Sequence, residues 1–166
     1  MFLPSIGLET TSGATVTLSQ CQQRTVLYFY PMTGRPGHPL PEGWDHIPGA
    51  RGCTPQACSF RDHHHELALL HTQVFGISTQ SSRCQQEAKQ RLHLPFELLS
   101  DASLQLKQAL NLPTFALEGK SLYKRLSMIC SQGQIIKVFY PVFPPDQHID
   151  EILAWLHSHA DDGAAI

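Results

Sequence analysis

Two cysteines in the stretch Gly52-Cys53-Thr54-Pro55-Gln56-Ala57-Cys58 are the residues of this chain best placed to do chemistry. Proline is favoured at the first helical position, where its missing N–H costs nothing, and a threonine before it is an acceptable N-cap. The pattern predicts a helix opening at Pro55, with Cys53 at its positive end. Free backbone N–H groups there favour a thiolate, the nucleophilic form of cysteine. Five positions along a helix rise about 7.5 Å and turn about 140°, which leaves the Cα atoms of Cys53 and Cys58 about 8–9 Å apart. A disulfide needs them closer than about 7 Å. A bond between these cysteines therefore demands that the start of the helix unwind. The spacing alone equally suits Cys58 as a small buried apolar residue and Cys53 as a loop thiol, because C-x4-C is no recognised metal or redox spacing.

Three further cysteines are present. Cys84 follows Ser81-Ser82, which cap a second predicted helix, so it too sits where a thiolate is favoured. Cys21 and Cys130 read as packing residues. The ten histidines raise the question of a metal. His63, His64 and His65 are consecutive, so on a helix they point about 100° apart and do not converge on one ion. Leu69 stands where His65-Glu66 would need a second histidine for a zinc motif. No metal site is expected.

The elements that must position these thiols follow from periodicity. Thr15-Val16-Thr17-Leu18 alternates as a short strand, and Thr25 to Tyr30 is a β-branched and aromatic run suited to a central strand stopped by Pro31. Met32 to Gly52 carries four glycines before Gly52 and four prolines, with no helical or strand period. Such a long connection is usually functional or an insertion, and Trp44 and Ile47 are the residues able to pin it. A helix runs from Pro55 to about His71 on Ala57, Phe60, His64, Leu67 and His71, with Arg61 and Asp62 as a surface pair. Val74 to Ser78 is a buried strand. A helix from Ser81 or Ser82 to Leu92, a short extended piece Phe96–Leu99 and a helix from Ser100-Asp101 to near Asn111 come next. Pro113 to Lys120 reads as a loop. Arg125–Cys130 and Gln134–Tyr140 flank a tight turn at Ser131-Gln132-Gly133, a hairpin. Asp146 is a candidate cap for a last helix with the stripe Ile149, Ile152, Leu153 and Leu156. Alternating strands and helices followed by a hairpin make an α/β protein, a mixed central sheet with helices on both faces.

Composition narrows the classes. The chain has 166 residues, 42% hydrophobic and 16% charged, so it is globular, and it reads as one domain over 1–160 with a tail at 161–166. A net charge of -2 predicts no nucleic-acid or anionic-membrane surface, and no apolar run reaches transmembrane length. The first basic residue is Arg24, so no secretory signal is expected. An odd number of cysteines favours a reducing compartment, here the cytoplasm.

In order along the chain, Val26-Leu27-Tyr28-Phe29-Tyr30-Pro31, Gly52 to Asp62, Gly76-Ile77-Ser78, Leu94-Pro95-Phe96-Glu97-Leu98-Leu99-Ser100-Asp101, Arg125 to Ile129 and His148 to Leu156 resemble the peroxiredoxins, in particular the bacterioferritin-comigratory-protein or peroxiredoxin Q branch. The resemblance spans roughly residues 3 to 157. It implies a thioredoxin-like fold and a thiol peroxidase acting on hydrogen peroxide and organic hydroperoxides. Cys53 matches the peroxidatic cysteine, Cys58 the resolving cysteine of members that bond within one helix, and Arg125 the arginine facing the thiolate. A thioredoxin-like or other dithiol would be the reductant, with no cofactor and no metal. Resolution within one chain suits a monomer or small dimer. Some relatives resolve from the helix that holds Cys84. Two departures stand out. Family members carry Pro-x-x-x-Thr-x-x-Cys, whereas Pro31 lies 22 residues before Cys53 and Ala50 takes the threonine position, as if a loop at about 32–50 were inserted. Thr33 and Thr54 are the candidates to supply the missing hydroxyl. The rival reading is a peroxide-sensing redox switch or holdase, which would oxidise once where an enzyme turns over.

Overall fold

A computed structural model describes residues 1–47 and 50–160. The strands are β1 (Gly7–Thr10), β2 (Thr15–Thr17), β3 (Arg24–Phe29), β4 (Thr72–Ser78), β5 (Leu98–Ser100), β6 (Thr114–Leu117), β7 (Lys120–Tyr123), β8 (Leu126–Ser131) and β9 (Gln134–Phe139). The helices are α1 (Cys53–Asp62), α2 (His64–Leu69), α3 (Ser82–Leu92), α4 (Gln105–Leu110) and α5 (His148–Ser158). Seven strands form one sheet in the order β2-β1-β5-β4-β3-β8-β9, with β6 and β7 as a separate hairpin. β3, β4 and β5 run parallel, and β8 lies antiparallel against β3, so the sheet is mixed.

β3 lies inside the sheet, between β4 and β8, because its side chains are largely apolar on both faces. Val26, Tyr28 and Tyr30 point into a core shared with Phe60 of α1, Leu67 of α2, Ala88 of α3 and the α5 stripe Ile149, Ile152, Leu153 and Leu156. Leu27 and Phe29 point the other way, into a core with Leu106 of α4, Tyr123 and Met128. The alternation places helices on both faces, the arrangement expected of a buried strand between two layers. Tyr28 stacks on Phe60 with ring centroids 4.5 Å apart, which fixes α1 against the sheet.

Several local expectations need correction. The first helix opens at Cys53, and Gly52, not Thr54, occupies the N-cap position. The run to His71 is two helices, because the chain breaks at His63 between α1 and α2. Residues 114–117 and 120–123 pair as a hairpin where a loop is expected, turned by Glu118 and Gly119 at φ 50° and 75°. β1 has no β-branched run to announce it and emerges only by pairing with β2 and β5. α4 starts at Gln105, yet Asp101 still serves it, its carboxylate accepting from the N–H groups of Leu106 and Lys107 at 3.1 and 3.0 Å. Asp146 does not cap α5, whose N-cap is Gln147 with no side-chain bond. The predicted hairpin is present as β8–β9, with Gln132 and Gly133 at positive φ, and Ser81 caps α3 by accepting from Cys84 N–H at 3.3 Å. The tail at 161–166 lies outside the described residues. No helix among the described residues is long and apolar enough to cross a membrane.

Candidate active site

The front of α1 is built around Gly52. Its φ of 101° is left-handed, and an added Cβ would lie 2.4 Å from Cγ of Pro145, in the segment leading into α5. Both features demand glycine here. No side chain caps the helix, so the first N–H groups of α1 remain available to an anion. Cys53, the first helical residue, is buried with its sulfur at this end.

Arg125, between β7 and β8, is 3% exposed and aims its guanidinium at the same point. Nη2 donates to Cys53 Sγ at 3.2 Å, to the Arg51 carbonyl at 3.0 Å and to the Ala50 carbonyl at 3.4 Å. Nη1 donates to Gln56 Oε1. Gln56, one helical turn after Cys53 and fully buried, thus holds the guanidinium against the thiol. Sequence reasoning missed Gln56, although an i+3 position on the face of Cys53 was a legible signal. A guanidinium cannot lose its proton, so a sulfur anion at Cys53 always has a cationic donor opposite it. As a thiol, Cys53 donates instead to the Ala50 carbonyl at 3.8 Å.

Cys58 lies in the same helix, half-buried against the core, and both cysteines are free thiols. Because α1 is continuous from Cys53 to Asp62, their Cα atoms are separated by about 8–9 Å, too far for a bond in this state. Cys84 is exposed near the start of α3 and lines a separate cleft that includes neither Cys53 nor Arg125. Cys130 is buried and its thiol is pushed up to about 12, by burial first and then by neighbouring Cys21. Burial raises Cys21 as well, with Gln73 opposing. Both are poor nucleophiles, in keeping with packing roles.

Two aromatic phenols wall the site. Burial pushes Tyr30 up to about 12, with the side chains of Ser78, Thr33 and Gln85 opposing, and raises Tyr28 further, so both stay neutral. Of the two candidate hydroxyls, Thr33 turns toward Tyr30, with its backbone N–H donating to Gln80 Oε1 at 3.1 Å. Thr54 is half-buried on α1. Ala50 is fully buried beside Trp44 and Leu122, with Met32 and Ile47 packed on them, so Trp44 and Ile47 do pin the long connection. That small core anchors the residues immediately before Cys53. The consecutive histidines diverge: His63 Nδ1 meets the Ser59 carbonyl, His64 lies over Phe96 and His65 is exposed.

Behind the arginine, His148 is 1% exposed and packs edge-on to Phe139. Burial holds its imidazole below the ordinary range, Glu151 opposes and the charge of Arg125 adds to the depression.

A buried thiol at an uncapped helix end, in contact with a guanidinium and carried on a mixed sheet with parallel centre, defines a thiol-redox class of the thioredoxin-like fold. A family model described as redoxin matches residues 1–153, and the chain belongs to that family, among its peroxiredoxins of the peroxiredoxin Q and bacterioferritin-comigratory-protein kind. It is 31% identical over 159 residues to the chloroplastic peroxiredoxin Q of Suaeda salsa, covering 93% of this chain and 65% of that protein, so it spans about two thirds of that relative's length. It is 31% identical over 158 residues to the peroxiredoxin Bcp of Bacillus subtilis (strain 168), covering 92% of this chain and 90% of that one. The crystal structure of the peroxidoxin BcpB from Mycobacterium tuberculosis superposes with a TM-score of 0.77 at 27% identity, covering 95% of each chain.

Proposed function

We propose that this protein is a thiol-dependent peroxidase that reduces hydrogen peroxide and organic hydroperoxides. The single observation that carries the reading is the Arg125 guanidinium on Cys53 Sγ at 3.2 Å, at the uncapped start of α1. Cys53 is the peroxidatic residue. Its thiolate attacks one oxygen of the O–O bond, the other oxygen leaves with a proton as water or alcohol, and the sulfur becomes a sulfenic acid. Arg125 donates to the sulfur and to the peroxide oxygen, and Gln56 keeps it in place. The neutral phenols of Tyr28 and Tyr30 wall the pocket.

Cys58 is the resolving residue. Its thiol displaces hydroxide from the sulfenic sulfur, releasing water and forming the Cys53–Cys58 disulfide after the first turn of α1 unwinds. A thioredoxin-like or other dithiol reductant then regenerates both thiols by exchange. Sulfur carries both electrons, so no cofactor takes part. Resolution inside one helix suits a monomer or small dimer, and free thiols suit the reducing cytoplasm. In this reading the segment at about 32–50 is an insertion that replaces the usual approach to the cysteine and braces it through Trp44.

Steady-state peroxide consumption with a dithiol donor tests the assignment. Cys53→Ser is expected to abolish turnover with an unchanged fold by circular dichroism. Retained turnover in that variant would remove Cys53 from the chemistry. A single stoichiometric oxidation in the wild type, with no turnover, would favour a sensor or holdase.

A further inference from the structure

We propose that a second site on this protein binds a single-chain amphiphile with an anionic head. The site is a cleft of about 720 Å³ between residues 32–40 of the long connection, the start of α3 and the β6–β7 hairpin. Small-molecule sites occupy about 300–1,000 Å³ and combine apolar walls with a few polar groups. This cleft is distinct from the thiol pocket, because Cys53, Gln56 and Arg125 do not line it.

Its walls suit an alkyl chain. Met32, Leu40, Leu104 and Leu122 line it, and Leu40 is 47% exposed, a large apolar side chain left in water. Leu104 adopts a left-handed φ of 61°, a conformation rare for a bulky residue, and its side chain lines the cleft at the head of α4.

Its charge selects an anion. Arg35 and Lys120 line the cleft as exposed cations, with His38 beside them. The acid on the wall, Glu87, is already matched, since Arg91 Nε donates to its Oε1 at 2.7 Å. Arg91 also donates Nη2 to the Gly34 carbonyl at 2.8 Å, which ties the connection to α3 and holds the two walls at a set distance. The guanidinium fork and the ammonium can share one anionic head while the chain lies along the leucines. A cationic head would meet like charge.

Trp44 reports occupancy, because it packs with Leu122 and Met32, both of which line the cleft. The protein has two tryptophans, and Trp155 stacks on His159 in the last helix. Trp155→Phe therefore leaves Trp44 as the sole indole emitter. Titrating this reduced variant with dodecanoate below its micelle concentration is expected to give a saturable fluorescence change. Adding Arg35→Glu with Lys120→Glu should weaken binding by about tenfold or more, and Leu40→Glu should weaken it independently. Dodecyltrimethylammonium should give no saturable change. Equal affinity for the two detergents, unchanged affinity in the charge-reversed variant, or no saturation with dodecanoate would overturn the proposal. So would sedimentation with anionic phospholipid vesicles in the absence of dodecanoate binding, which would make the patch a membrane contact. No peroxide is present in the titration, so its failure leaves the assignment of Cys53 untouched.

Discussion

Oxidation is predicted to open the front of α1 and leave the rest of the helix in place. The perturbation is one equivalent of peroxide added to the reduced protein. The bond between Cys53 and Cys58 has to close a separation of about 8–9 Å to less than about 7 Å. That movement breaks the helical bond from Gln56 N–H to the Gly52 carbonyl, 2.9 Å, and the Arg125–Cys53 contact, 3.2 Å. A neutral hydrogen bond contributes about 1 kcal/mol and a charge-assisted one about 1.5–3, so opening the reduced helix costs about 2.5–4 kcal/mol. At about 1.4 kcal/mol per factor of ten, the open form is populated at about one part in 100 to 1,000. The disulfide holds that form until a dithiol reduces it. Hydrogen exchange at Gln56 and Ala57, the first amides bonded within the helix, should therefore quicken by about 100- to 1,000-fold on oxidation. Phe60 and Leu67, both fully buried, should keep the later turns protected, with α5 as the internal control. Equal protection in both forms, with the Cys53–Cys58 bond established by mass, would refute the argument that a regular helix keeps these cysteines apart.

Three further outcomes follow from the site. Arg125→Ala removes the donor to Cys53 and should slow sulfenic acid formation by about 10- to 150-fold in stopped-flow measurements with excess peroxide; an unchanged rate would exclude the guanidinium from the step. His148 is held below its ordinary 6.5 by burial, so its contribution to stability is complete above that value and is lost as pH falls from 6.5 toward the lower folded value, where the unfolded chain takes up the proton first. Urea titrations at about pH 8 and about pH 5.5 should show a smaller loss of stability in His148→Phe than in the wild type, and an equal loss would contradict the depressed imidazole. Gly52→Ala forces a left-handed alanine toward Pro145 and should destabilise the fold by about 1–2 kcal/mol or more, read as a lower urea midpoint; an unchanged midpoint would count against the strained entry to α1.

Local pattern carried much of the fold into view. Residues 25–30 announce a two-faced central strand, Ser81 a cap, Gly133 a turn and the Ile149 stripe a helix packed on one side. Elements stabilised from a distance stayed hidden. β1 depends on pairing to β5, and the β6–β7 hairpin turns at Glu118-Gly119, a weaker signal than Asn-Gly. The break at His63 has no glycine or proline to mark it. The site divides in the same way. Cys53 is readable from its place before a predicted helix, its pairing with Cys58 is offered only by the family resemblance, and Gln56 was readable from the helical period. Arg125 stands 72 residues from Cys53 and only the family resemblance linked them. The packing of Pro145 on Gly52 joins two loops remote in sequence, so threonine capping looked sufficient when glycine at a positive φ was required.

Cleavage after Arg51 and Arg61 isolates Gly52–Arg61, a peptide holding both Cys53 and Cys58, while Cys84 falls in a separate peptide after Arg83. The most direct measurement treats the reduced protein with one equivalent of peroxide, blocks remaining thiols, cleaves with trypsin and weighs this peptide. The account predicts that it loses two hydrogens, takes up no blocking group and recovers both thiols on treatment with a dithiol. A peptide with both thiols still blocked after peroxide is consumed, or one cross-linked to the Cys84 peptide, would contradict it.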